Sequence, residues 1–423
     1  MEGIFRNVRI LDPNSKHHQQ IRDVWVKDGE IVEIKAKIST SKKVKSYQSP
    51  NACLSPGWID LGCLGGEPGN EHRETLNTLS QAAVRGGYTT VCCLPNTRPV
   101  LHSKSEIAFI RNKSENLPVN VYPIGAVSKD CKSEEMAEIL QMKEAGAIAF
   151  SDGKVPIQKS GLLMRALEYM KLVPDRILIN SCQDQGLAGH GQMHEGKTST
   201  SLGLKGIPVI AETVNIQRDL AILDYSQSRM LIHKLSSASS VELLREAKNR
   251  KQQVYSSVSI FNLVFEDHHL EQLNVHLKLD PPLRSASDRK ALISGLRDGT
   301  IDLICSDHTA WDPEKKDLEF QAAAFGSISL ETAFAAYCTH LSKDLDAELW
   351  VEKVAVNPAR ILGLPESGIQ VGQTMDLTWF DPSLPWTYNG DSVRSLSKNS
   401  PFLNQELKGR ALGIWSKRQF HPC

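Results

Sequence analysis

The sequence carries no excess of either charge: 49 lysines and arginines balance 49 aspartates and glutamates. No global field is therefore available to gather nucleic acid or to press the chain onto an anionic membrane. Long apolar runs are missing too, and no signal peptide follows the opening MEGIFRNVRI, so the expected setting is the cytoplasm, away from any membrane. The nine cysteines, at 53, 63, 92, 93, 131, 182, 305, 338 and 423, include no CxxC pair. An odd number scattered through apolar runs reads as reduced core thiols, not as a disulfide framework or a zinc knot. Internal repeats and low-complexity segments are also absent.

What is present is alternation. Short β-rich runs occur at LSPGWIDLG, YTTVCCLP, NVYPIGAV, AIAFSD, ILINSC, RMLIHKLSS, QQVYSSVSI and TIDLICSD, separated by helix-patterned stretches such as HRETLNTLSQAAVRGG and VELLREAKNRK. Eight such strands with intervening helices predict a parallel (β/α)8 barrel over residues 55–365. Residues 1–54 and 366–423 instead alternate as short strands, IFRNVRILD and DVWVKDGEIVEI before the barrel and DLTWFDP and ELKGRALGIWSKRQF after it. The two ends are expected to pair into one small β-sandwich domain beside the barrel.

In a barrel of this kind, chemistry sits where the strands end at their C-terminal face. The residues there are Gly62 and Leu64 on the first strand, Asn96 after the second, Asp152 after the fourth, Ser181 on the fifth, Lys234 on the sixth and Asp307 on the eighth. Gly, Leu, Ser and Lys with two aspartates make a poor cage for a divalent cation, since Zn²⁺ takes imidazole, thiolate or several carboxylates. The strand period of two is expected to turn Cys63, Cys182 and His233 away from the barrel axis, and to leave Cys305 a layer below Asp307. Most remaining histidines, including His190 and His194 in AGHGQMHEG, fall in polar or loop segments and read as solvated or capping groups.

The segments EPGNEHRETLNTLSQAAVRGGYTTVCCLPNTRPV, LGLKGIPVIAETVNIQRDLAI, SSASSVELLREAK, KLDPPLRSASDRKALISGLRDGTIDLICSDH, AAFGSISLETA, NPARILGLP and PFLNQELKGR resemble dihydroorotases of the amidohydrolase superfamily, of the long bacterial type. The resemblance spans nearly the whole chain and implies the same barrel with a small β domain built from both termini. Its active members open or close the dihydroorotate ring with a zinc-bound hydroxide and an eighth-strand aspartate as general acid and base. The resemblance places the metal ligands at positions that here hold Gly62, Leu64, Asp152, Ser181, Lys234 and Asp307, so all four ligand histidines are replaced. It reads Asp307 as the vestigial acid–base position and Asn96 as a retained substrate contact. Gly66 stands where it expects the arginine that clamps a carboxylate, Asp280 where it expects an asparagine, and Trp311 where it expects a histidine.

Without those ligands and that clamp there is no activated water and little hold on a substrate. The leading expectation is a catalytically inactive dihydroorotase-like protein of pyrimidine biosynthesis, with no cofactor, a homodimer of its own and a scaffolding role toward aspartate transcarbamoylase. The alternative is an active cyclic-amide hydrolase with a non-standard metal site, in which case zinc is the expected metal, or with none. In the emptied mouth, Lys234 is expected to form an ion pair with Asp307, with Asp152 or with both.

Overall fold

The computed structural model describes residues 1–40, 43–366 and 368–423. Five strands open the chain: β1 (Glu2–Ile10), β2 (Ile21–Lys27), β3 (Glu30–Lys35), β4 (Lys45–Tyr47) and β5 (Cys53–Pro56). Next come β6 (Trp58–Cys63), β7 (Tyr88–Cys93), β8 (Asn120–Gly125), β9 (Ala149–Phe150) and β10 (Leu178–Ser181). A short parallel pair, β11 (Met193–His194) and β12 (Gly206–Ile207), follows. The chain continues with β13 (Met230–His233), β14 (Val254–Ser259) and β15 (Leu303–Cys305). It ends in β16 (Leu377–Tyr388), β17 (Gln405–Ser416) and β18 (Gln419–Pro422).

Strands β6 to β10 and β13 to β15 form one eight-stranded parallel sheet in chain order, each of the eight runs read from the sequence supplying one strand. The seam between first and last strand closes through side chains as much as through backbone. Ser306 donates from its backbone N and its hydroxyl to the buried Asp60 carboxylate at 2.7 and 2.8 Å, and Leu64 and Thr309 form a parallel bridge just above. Ile59, Leu61, Cys92, Leu94, Ile124, Ile179, Leu231 and Leu303 fill the barrel interior. A larger apolar layer lies between the strands and the surrounding helices. All nine cysteines are free, and all but Cys423 are buried. No helix among the described residues is long and apolar enough to cross a membrane.

The two ends meet in a second eight-stranded sheet, ordered β18-β17-β16-β5-β1-β2-β3 with β4 on β1. It wraps over its own apolar face, so that Phe5 of β1 stacks 5.2 Å from Tyr47 and comes within 6.1 Å of Phe420 on β18 at the far edge. β5 passes directly into β6 through Gly57, whose N donates to Asp376 O at 2.9 Å. Trp58 then anchors sheet to barrel, its ring 5.1 Å from Phe380 on β16 and 4.9 Å from Phe334 on the helix Ala333–His340.

Candidate functional site

At the C-terminal mouth of the barrel, Asp307 follows β15 with a left-handed backbone (φ 57°) that swings its carboxylate over the interior. Lys234 Nζ lies 2.9 Å from Asp307 Oδ1 and also donates to Asp280 O at 2.5 Å. Lys154 Nζ, from the loop after β9, reaches the same oxygen at 3.0 Å. The expected Lys234–Asp307 pair is therefore present, and a second lysine has joined it. Burial pulls the Asp307 pKa up, but the charges and hydrogen bonds of Lys154 and Lys234 outweigh it and hold it down at about 2. Burial works against the Lys234 ammonium too, yet Asp307 and Asp280 carry its pKa above the usual lysine value. Lys154, with only Asp307 bound, is lowered by burial.

Gly62 has a left-handed backbone (φ 95°), and a Cβ there would lie 2.7 Å from Nε2 of His233. The space a side chain at 62 would need is filled by that imidazole. This corrects the expectation that His233 faces away from the axis. Leu231 and His233 are the inward residues of β13 by ordinary alternation, and it is Lys234 (φ 63°) that leaves the alternation and turns into the mouth as well. His233 Nδ1 is 2.8 Å from Ser257 Oγ, while its Nε2 has no hydrogen-bond partner. Burial first, then the Lys234 charge, depresses its pKa to about 3, so the ring is neutral. Cys63 and Cys182 do pack in the outer layer, and Cys305 is buried below Asp307, as expected. Leu64 joins the interior cluster.

The Asp152 carboxylate turns aside from the mouth. Its Oδ1 accepts from the backbone N of Val127 and Ser128 at 2.9 and 2.8 Å, and its Oδ2 from Ser128 Oγ, so it makes no pair with Lys234. Asn96 holds the same loop, donating to Asp152 O at 3.0 Å and accepting from Lys154 N at 2.8 Å. Ser181 Oγ donates to Gly153 O at 2.8 Å. Three positions expected around a metal or a substrate are thus spent on fixing the segment that delivers Lys154.

The remaining contact positions are equally committed. At Gly66 (φ 71°) a Cβ would meet Glu74 O at 2.2 Å, so the backbone path itself leaves no room for a clamping side chain. Trp311 donates through Nε1 to Phe325 O at 2.8 Å, and the Arg73 guanidinium lies 3.9 Å over its ring. His308, next to Asp307, is fully buried and pairs with Glu74 at 3.3 Å, which in turn accepts from Leu396 N at 3.1 Å. The free volume left among Lys154, Ser181, His233, Lys234 and Asp280 is about 20 Å³. That is room for about one water.

Such a mouth does not fit a divalent cation. Two ammonium groups sit on the Asp307 carboxylate, and the neighbouring imidazole of His233 is wedged against Gly62. Among the described residues no group of three or more His, Cys, Asp or Glu side chains is arranged so that it could hold a metal ion. A carboxylate held at about 2 is also a feeble general base at neutral pH.

One buried network lay outside the sequence reading. Arg284, on the loop after β14, donates to Ser236 Oγ at 2.7 Å, to Ile207 O at 3.2 Å and to Glu212 at 3.2 Å, and lies 3.1 Å from His194 Nδ1. His194 is thus a buried member of an ionic cluster that pins β11 and β12 to the barrel, not a solvated loop histidine.

A family profile described as Dihydro-orotase-like matches residues 52–240. A protein named dihydroorotase from Pelotomaculum thermopropionicum is 39% identical over 411 residues, 97% of this chain and 96% of that one. Another so named, from Acetivibrio thermocellus, is 38% identical over 409 residues, 96% and 95% of the two chains. Among solved structures, L-hydantoinase (dihydropyrimidinase) from Arthrobacter aurescens superposes with a TM-score of 0.86 over 99% of this chain and 95% of its own, at 23% identity, a likeness of fold.

Proposed function

The chain belongs to the dihydroorotase family of the amidohydrolase superfamily, and from that membership we propose that it is a member that no longer catalyses and serves pyrimidine biosynthesis by binding a partner. The observation that carries this reading is the closure of the mouth: Asp307 neutralised by Lys154 and Lys234, with about 20 Å³ left between them. A nucleophilic water needs a metal or a base to activate it, and a substrate needs space and a counter-charge for its carboxylate. Here both places are occupied by the protein's own side chains. The partner that the family resemblance implies is aspartate transcarbamoylase, met in the cytoplasm.

Two measurements test the reading. Purified protein, assayed in both directions between dihydroorotate and carbamoyl aspartate with and without added Zn²⁺, is expected to match buffer. Turnover on the order of one per second, in the ordinary enzyme range, that vanishes in Asp307→Ala would refute it. Mixed with aspartate transcarbamoylase of the native host, the protein is expected to co-sediment. A transcarbamoylase of unchanged size and activity after deletion of this gene would remove the scaffold role.

A further inference from the structure

The mouth is filled by its own side chains, but the opposite end of the barrel is not. At the N-terminal ends of β6, β7 and β8, where the barrel meets the terminal sheet, lies a cavity of about 380 Å³. That is within the range of small-molecule sites. Its floor is the lower end of the barrel interior, Ile59, Tyr122, Ala359 and Leu364. Ala355 and Val356 form one wall, on a π-helical turn (Glu352–Val356) that joins the helices Ala347–Val351 and Asn357–Leu362. Such turns are uncommon and recur at functional sites.

Two charged groups border this space without an ion-pair partner. The partly buried Asp376 carboxylate accepts from Asn120 Nδ2 at 2.8 Å, and more loosely from Lys417 N at 3.3 Å and Ser416 Oγ at 3.4 Å, all uncharged donors. Among the described residues no basic side chain pairs with it, and burial pushes its pKa up to about 6. The Lys417 ammonium is turned instead to the carbonyls of Ser114 and Glu115. Arg418, exposed on the turn between β17 and β18, makes no hydrogen bond or ion pair among the described residues, and nearby Asp28 is taken by the N-terminal amine. With Lys417 and Arg418 set against the exposed Glu366, the rim is net positive while the interior is negative.

That distribution selects among ligands. A simple amine would be drawn to Asp376 but repelled at the rim, and a simple carboxylate would meet the reverse. An uncharged apolar molecule would leave the Asp376 carboxylate without water and without a counter-charge. A zwitterion with an apolar body suits all three surfaces: its ammonium on Asp376, its carboxylate on the Arg418 guanidinium and its side chain on the apolar floor. We propose that this cavity is a binding site for a free amino acid with an apolar side chain. The site lies at the far end of the barrel from Asp307 and does not depend on the function proposed above.

Calorimetric titration of the full-length chain tests it, at about pH 8 where Asp376 is ionised, with L-leucine and L-phenylalanine as the probes. At least one of them is expected to bind saturably, one molecule per chain. The amine and the acid of the same skeleton, isopentylamine and isocaproate or phenethylamine and hydrocinnamate, should each bind at least about 10-fold more weakly, the scale of a lost charged hydrogen bond. Arg418→Gly, at a left-handed position (φ 64°) that glycine takes without strain, should weaken binding by a similar factor and leave the fold intact. Ala359→Phe, which fills the floor, should abolish binding, and Asp376→Asn should weaken it, in chains that circular dichroism shows to be folded. No saturable binding of either amino acid would overturn the proposal. So would an amine or an acid that binds as tightly as the amino acid, which would remove the zwitterion, or affinity unchanged in Arg418→Gly, which would put the ligand elsewhere.

Discussion

Asp307 is a buried carboxylate whose two lysines turn it into a measurable structural charge. Its folded pKa of about 2 lies below the ordinary carboxylate value, so the folded state holds on to the charged form and the stabilisation is present above pH 4. It is lost as the pH falls from about 4 through 2. The depression corresponds to about 2 kcal/mol. Asp219 and Asp376 behave oppositely: burial pushes each up to about 6, so they favour the fold as the pH falls from 6 toward 4. Those two are common to wild type and to Asp307→Asn, and the difference between the proteins isolates Asp307. Urea unfolding is expected to show the variant less stable by about 3 kcal/mol at pH 7, the cost of leaving buried charge unpaired, with the gap narrowing between pH 4 and 2. A gap independent of pH would contradict the ion cluster. At the same scale, Gly62→His should not rebuild a ligand. Overpacking against His233, at a left-handed position, should destabilise by about 2–4 kcal/mol. Adding His233→Ala should return at least about 1 kcal/mol, a coupling read from a double-mutant cycle.

Among elements, the segment carrying β11 and β12 is held by charge as well as by apolar packing: Ala188, Ile207 and Ala211 form a small cluster of their own, and Met193 and Leu204 pack on the main core. Arg284 holds it by bonding Ile207 O and meeting His194 Nδ1 while pairing with Glu212. Arg284→Met is therefore expected to cost about 3–5 kcal/mol and to expose the stretch between Gly189 and Gly206 to protease at least tenfold faster, with cuts mapped by mass spectrometry. A variant cut no faster than wild type would show that packing alone suffices. This element also marks the limit of what the sequence discloses. The eight barrel strands were legible because each is a short apolar run between helical periods, a local signal. Arg284 and His194 are 90 residues apart, and nothing local joins them. His233 was misplaced for a related reason: Gly62, Lys234 and Asp307 all take left-handed backbone angles at the strand ends, where alternation stops deciding which side chain turns inward. Lys154 lies past the end of β9, beyond the last residue a strand pattern can orient, although its place right after the glycine of SDGK was a signal within reach.

At the scale of the molecule, the barrel and the terminal sheet share their central anchor. β5 of the sheet and β6 of the barrel are one run of chain broken only at Gly57, and Trp58 N donates to Thr378 Oγ1 at 3.2 Å, which itself donates to Gly87 O at 2.7 Å. The rings of Trp58, Phe334, Trp350 and Phe380 then interlock across the boundary at centroid distances of 4.9–5.5 Å. Neither body can expose this cluster without the other losing it, so the two should unfold together although the chain is long enough for separate domains. Phe380→Ala, which removes a ring belonging to the sheet, is expected to lower stability by about 3–5 kcal/mol. It should shift far-ultraviolet circular dichroism, dominated by the barrel helices, and tryptophan fluorescence by the same amount. Calorimetry of the wild type should give one transition per cooperative unit, with both probes coincident. Two transitions, with the helical signal unmoved by Phe380→Ala, would show that the barrel stands without the sheet, and the strands at the two ends of the chain would then be an appendage instead of part of one core.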